Sequence, residues 1–215
     1  MITASLGGFD KLQKHVPQSL PHDYYLFTDK NFPPRFKSMT PRLQAKIPKF
    51  FAWQMVPGYK YYFWVDGNLV LTNKDSLKYF FDNLQGYDIV ALKHPRRNTV
   101  KWEGRYLERG LNQGSRYLFD RYSGELLKEQ MAEINSDNDF VDDLLVLGGA
   151  FFYRNTPKVQ KMLKEWWYHV SRYLIMDQCS FSYVLKKSRL RIKVLPDNLY
   201  RNCLYLKQSG HIRHS

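Results

Sequence analysis

The stretch that most constrains this chain is Tyr61-Tyr62-Phe63-Trp64-Val65, followed at once by Asp66-Gly67-Asn68. An unbroken aromatic and β-branched run has no polar face, so it predicts a strand buried on both sides of a sheet. Its end delivers Asp66 to the carboxyl edge, where open α/β folds bind ligands. Gly67 allows a tight turn, and Asp66 and Asn68 can then aim oxygens at one small object. A divalent cation carrying phosphate fits that description, because hard cations take oxygen ligands and share them with phosphates. An ordinary Asp-Gly turn accounts for the same residues without a ligand.

The bulk numbers narrow the class. The 215 residues suit one large domain, and 44% hydrophobic content supports a sizeable core and excludes wholesale disorder. Lysine and arginine number 33 against 20 acids, a formal charge of +13 that favours anionic partners such as nucleotides or nucleic acid. No segment approaches the roughly 20 apolar residues of a membrane helix. No apolar stretch follows a charged start either, so no secretory signal is expected. With only Cys179 and Cys203, a disulfide framework is not expected and a cytoplasmic location is, though one late disulfide stays open.

Strand and helix signals alternate, which predicts an α/β domain spanning residues 1–215. Strands are expected from Met1 to Leu6, Tyr24 to Phe27, Tyr61 to Val65, Asp88 to Lys93, Leu144 to Tyr153 and Arg191 to Leu195, with a short one at Val70-Leu71. Thr40-Pro41 reads as an N-cap with proline at the first helical position, opening a helix to about Met55. Thr156-Pro157 repeats that signal before Val159, Met162, Leu163, Trp166 and Val170 at helical spacing. Further helices are expected from Ser76 to Asn83 and from Asp177 to Leu185, with the least ordered loop near Asn135 to Asp139.

Polar candidates gather at strand ends. Ser5-Leu6-Gly7-Gly8 could let a nucleotide approach the backbone, and Thr28-Asp29 could bond a base or ribose; plain turns explain both. Arg42 and Lys46, four residues apart on one helix face, suit a diphosphate, though a solvated basic face looks the same. His94 sits at a strand end beside Pro95, with Arg96, Arg97 and Glu103 following, and serves either a substrate or its own loop. Gly148-Gly149 inside an apolar run suggests a ligand against the backbone. Asp142 and Asp143 are acid/base candidates or a hydrated turn. Asp177-Gln178 opens a helix, where the dipole favours an acid without any function. His211 near the end could ligate a metal through its imidazole.

Together these residues resemble the GT-A type nucleotide-sugar glycosyltransferases, and among them the glycosyltransferase domains of large chlorella-virus proteins. The resemblance implies a Rossmann-like, mostly parallel sheet flanked by helices. It implies transfer of a hexose or deoxyhexose from a UDP-sugar to a glycan acceptor, assisted by Mn²⁺ or Mg²⁺. By analogy, Asp66, Asn68 and His211 would bind the metal. Ser5 to Gly8 and Thr28-Asp29 would hold the uridine, Arg42 and Lys46 the diphosphate. Gly149 would lie under the donor sugar, with Asp177 and Gln178 by its hydroxyls, and Asp142, Asp143 or Asp177 would act as base. The family's metal motif has two acids; here Asn68 replaces the second.

The competing class is a basic nucleic-acid-binding module, supported by the charge and by the aromatics from Tyr59 to Trp64. A metal-dependent hydrolase built on Asp66 lacks a second carboxylate or histidine pair at ligand spacing.

Overall fold

The computed structural model describes residues 1–33, 38–196 and the backbone strand 206–208. In chain order, β1 (Ile2–Ser5) and β2 (Tyr25–Thr28) precede α1 (Pro41–Met55), β3 (Tyr61–Val65) and β4 (Leu69–Leu71). Then come α2 (Ser76–Asp82), β5 (Ile89–Lys93), α3 (Val100–Asn112), α4 (Arg116–Tyr122) and α5 (Leu127–Ser136). The chain continues through β6 (Val146–Arg154), α6 (Pro157–Arg172), α7 (Gln178–Ser188), β7 (Ile192–Leu195) and β8 (Leu206–Gln208).

Among these residues a six-stranded sheet runs β2-β1-β3-β6-β5-β7. The pairs β1–β2, β1–β3 and β5–β7 are parallel, whereas β6 is antiparallel to both of its neighbours. This reversal matters for function. It brings the start of β6 to the edge where β1, β3 and β5 end, so Val65 pairs with Ala150 and Lys93 with Val146. The β5–β6 register shifts between Ala91 and Leu92, freeing the Gly148-Gly149 segment from that neighbour.

The expectation for β3 holds: its side chains enter two cores. Tyr62 and Trp64 join Phe50, Phe151, Trp166 and Phe181 on one face, and Phe63 and Val65 join Leu77, Phe80 and Phe152 on the other. Full burial of a residue such as Phe63 contributes about 2–3 kcal/mol. Caps set the helix starts. Thr40 accepts from Leu43 N at 3.2 Å and Thr156 from Val159 N at 3.3 Å, each ahead of a proline. Trp166 of α6 stacks on Phe181 of α7 with ring centroids 3.7 Å apart.

The loop expected near 135–139 is instead anchored. Asn135 and Ser136 finish α5, and the Asp137 carboxylate meets Lys187 at 2.6 Å and the Tyr183 hydroxyl at 2.7 Å. Local polarity concealed partners that come from α7, some 50 residues away in a folded chain. Among the described residues no helix is long and apolar enough to cross a membrane.

Candidate functional site

A cavity of about 280 Å³ opens at the carboxyl ends of β1 and β3. Asp66, Gly67, Asn68, Gly148, Gly149, Asp177, Gln178, Arg42, Lys46 and Leu6 all line it, as separate signals in the sequence had suggested. Asp66 follows β3 directly, and its backbone N–H donates to Gly149 O at 2.7 Å. Its Oδ1 accepts from Trp64 Nε1 at 2.7 Å and lies 3.5 Å from the Lys49 ammonium. The glycine between Asp66 and Asn68 is required by crowding, since a Cβ there would stand 2.7 Å from Asp10 Oδ2 and 3.0 Å from Ala4 O.

On the other side of Lys49, Asp177 caps the start of α7 without bonding that helix through its side chain. The dipole reading of this residue therefore gives way to a charge cluster. Asp177 Oδ2 meets Lys49 Nζ at 2.5 Å and Lys46 Nζ at 2.6 Å. Burial alone would raise the Asp177 pKa, but Lys46 and Lys49 outweigh it and hold the carboxyl at about 2. Lys46 is correspondingly held above the ordinary lysine range, with Asp177 and Asp66 overcoming the cost of burial. Lys49 also lies 5.3 Å from the Trp166 ring centroid and 5.6 Å from that of Trp64, so aromatic faces complete its surroundings.

The adjacent glycines serve these carboxylates. A Cβ on Gly148 would stand 2.7 Å from Asp177 Oδ1, and one on Gly149 would stand 3.3 Å from Asp66 Oδ2. What approaches the backbone there is the protein's own acid pair. Arg42 Nη1 donates to Arg121 O at 2.8 Å, and its guanidinium lies 5.2 Å from the Tyr122 ring centroid. Burial, and then the charge of Arg121, lowers the Arg42 pKa.

Other candidates lie outside the cavity lining. Ser5 is buried in β1, while Gly7 N–H donates to Asp29 Oδ2 at 2.9 Å, so the acid steadies the glycine loop. Gly7 has φ +73° and Gly8 φ +67°, a region that favours glycine regardless of any ligand. Thr28 N–H donates to Asn31 Oδ1 at 2.7 Å, the turn chemistry that its sequence also permitted. His94 is buried, and its Nδ1 accepts the backbone N–H groups of Arg96 at 3.2 Å and Arg97 at 2.9 Å. Burial and then Arg97 pull its pKa down to about 4, leaving a neutral histidine that organises its loop.

Two acid/base candidates have structural tasks. Asp142 accepts from Val100 N at 2.6 Å and Lys101 N at 2.9 Å, where the start of α3 favours an anion. Asp143 pairs with Lys186 at 2.6 Å on the surface. Asp177 itself is too weakly basic, at about 2, to take a proton efficiently near neutrality. His211 lies outside the described residues.

Sequence reasoning missed Lys49, Asp10, Trp64 and Arg121. Lys49 had a signal: it stands three residues after Lys46 on the same helix. Pro48 between them disguised the continuity. Asp10 and Arg121 carried no local signal, because only the fold brings them to this cavity.

The sequence profile of the TOD1/MUCI70 glycosyltransferase-like domain matches residues 35–214. The chain belongs to that family. Membership assigns the cavity to a glycosyltransferase-like domain; a particular kinship with chlorella-virus proteins rests on the sequence resemblance alone. Solved structures similar to this TOD1/MUCI70 domain include two of low sequence identity. An apo structure of the bifunctional glycosyltransferase WbbM shares 16% identity over 80% of this chain, with a TM-score of 0.44. The chain spans 28% of that WbbM structure. A197 from STIV shares 12% identity over 91% of this chain and 81% of its own, with a TM-score of 0.38. No curated protein matched the chain.

Proposed function

We propose that this TOD1/MUCI70 domain transfers a hexosyl or deoxyhexosyl group from a UDP-sugar to a glycan acceptor, assisted by Mn²⁺ or Mg²⁺. The observation that carries this reading is the convergence of Asp66, Asn68, Lys46, Arg42 and Asp177 on one cavity at the carboxyl ends of β1 and β3. The cations suit a diphosphate, and the acids interleaved with them suit a metal and a developing oxocarbenium ion. In the transfer, the bond from the anomeric carbon to diphosphate oxygen breaks and UDP departs. A new bond forms to the acceptor oxygen, whose proton is released to solvent as UDP carries away the bonding electrons.

The donor set fits a cation that takes few protein ligands. Trp64 and Lys49 occupy Asp66 Oδ1, so Oδ2 is the oxygen of that carboxylate that would meet a cation, and Asn68 and Asp10 line the same cavity. Among the described residues no three His, Cys, Asp or Glu side chains cluster as a dedicated cage. Magnesium-type sites need none, because one or two carboxylates and the substrate phosphates complete them. His211 would add a ligand by analogy with the resembling families. When bound, the cation would neutralise charge on the departing diphosphate.

Asp177, kept ionised by Lys46 and Lys49, would stabilise positive charge at the anomeric centre rather than act as base. The buried free thiol of Cys179 suits a reducing, cytoplasmic setting. The nucleic-acid alternative loses its aromatic support, because Tyr62, Phe63 and Trp64 are core residues. Calorimetric titration of UDP with and without Mn²⁺, on wild type and Asp66→Ala, tests the proposal. Metal-enhanced binding that disappears in the variant is expected. Equal UDP binding by both proteins would overturn the site.

A further inference from the structure

Gln178 lines the cavity, yet its amide is held from behind by a group that does not. Its Nε2 donates at 2.9 Å to Glu103 Oε1, across 75 residues of sequence. Glu103 has no solvent exposure, and its second oxygen, Oε2, accepts a charge-assisted bond from Arg97 Nε. Arg97 is fixed in turn: its guanidinium lies 4.0 Å from the Tyr106 ring centroid, and His94, whose ring organises the Arg96–Arg97 backbone, adjoins it.

An ionised carboxylate accepts hydrogen bonds and donates none, so it can face only the NH₂ end of an amide. Burial raises the Glu103 pKa while Arg97 and Gln178 oppose that rise, and in its ionised form Glu103 dictates which end of Gln178 remains available. Gln178 Oε1 has no hydrogen-bond partner among the described residues. A free glutamine amide can turn over and serve either polarity; this one is committed.

We propose that Glu103, clamped by Arg97, is a positioning residue that fixes the Gln178 amide so that Oε1 accepts a hydrogen bond from a hydroxyl of the donor sugar. The proposal rests on the nucleotide-sugar reading of this cavity and deepens it. The position then selects a hydrogen-bond donor, a neutral sugar hydroxyl, over an acceptor-only group such as a uronate carboxylate. A mismatch leaves a desolvated oxygen unpaired or opposes two acceptors, which is how polar sites discriminate.

Calorimetry in Mn²⁺ with UDP and with UDP-glucose, UDP-galactose and UDP-xylose, on wild type, Glu103→Gln, Gln178→Ala and the double variant, tests this. UDP alone should bind all four proteins equally, since it carries no sugar. Relative to UDP, affinity for the best-binding UDP-sugar should fall about fivefold in each single variant and no further in the double. A ratio unchanged in Glu103→Gln, or losses that add, would overturn the positioning role while leaving UDP binding intact. If UDP fails to bind wild type, the nucleotide reading falls and this proposal with it. Should Glu103→Gln not fold, wild type still decides through monodeoxyfluoro analogues of that UDP-sugar. Fluorine cannot donate, so one fluoro position should lose the fivefold in wild type and lose nothing in Gln178→Ala. Fluoro analogues that all bind wild type like the parent would overturn it.

Discussion

Lys49 and Asp177 meet 2.5 Å apart, the lysine side chain wholly buried behind a cavity that only the aspartate lines. An ammonium in such a place is costly to desolvate, and its partners must compensate. Substituting Lys49→Met removes the charge at nearly constant volume and leaves Asp177 to Lys46 alone. The expected loss of unfolding free energy is about 3 kcal/mol. Lys46→Met should lose less, about 1 kcal/mol, because that side chain is 21% exposed and its charge is partly solvated. Denaturant unfolding of both variants checks the contrast; equal losses would show that burial does not separate the two lysines.

The same cluster sets an acid limit on stability. Asp177 is held at about 2 when folded, whereas an unfolded aspartate titrates at about 3.9. The unfolded chain therefore binds this proton more readily. The carboxylate's contribution is complete above about pH 4 and drains as pH falls toward 2, by about 2–3 kcal/mol. Asp177→Asn should flatten that part of the stability-against-pH curve. Parallel wild-type and variant curves between about pH 4 and 2 would exclude Asp177 as the source.

The fold was legible where period and punctuation agree. The run from Tyr61 to Val65 declared a doubly buried strand, and Thr40-Pro41 and Thr156-Pro157 declared helix starts, because these signals act within a few residues. The cavity was legible in part for the same reason. Asp66 and Asp177 stand at element ends and Gly148 near the start of β6, and the sheet order brings these ends together. Asp142 shows the limit: its sequence offers an acid, but its two N–H partners lie some 40 residues upstream at the start of α3. Glu103 is the converse case, a surface-like residue by sequence that the packing of α3 against α7 buries completely.

Trp64 supports Asp66 as well as the core. Its Nε1 donates to Asp66 Oδ1 at 2.7 Å, fixing the carboxylate with Oδ2 beside Gly149 at the cavity lining. Trp64→Phe preserves most of the apolar contact and removes the donor. Partners that orient a metal-binding carboxylate typically affect metal affinity by about 10- to 100-fold. The variant should therefore weaken Mn²⁺-dependent UDP binding at least about tenfold, with metal-free UDP binding little changed. Calorimetric titration in Mn²⁺ and in chelator separates the two; equal loss in both would assign Trp64 to packing alone.

The two adjacent glycines make the sharpest comparison, because they differ in what a methyl group would strike. On Gly148 a Cβ would lie 2.7 Å from Asp177 Oδ1 and 3.3 Å from Lys49 Nζ, inside the charge cluster. Asp177 cannot yield without stretching its 2.5 and 2.6 Å contacts to Lys49 and Lys46. On Gly149 the nearest atom is Leu69 Cδ1 at 3.1 Å, the end of a side chain that can rotate, with Asp66 Oδ2 at 3.3 Å. Gly148→Ala should thus cost about 1–3 kcal/mol of stability, the usual range for overpacking, and shift the acid transition of Asp177. Gly149→Ala should cost less in stability and act mainly on metal-dependent UDP binding through Asp66. Thermal unfolding paired with UDP titration in Mn²⁺ measures both, and a Gly149→Ala variant less stable than Gly148→Ala would reverse the assignment of the two carboxylates.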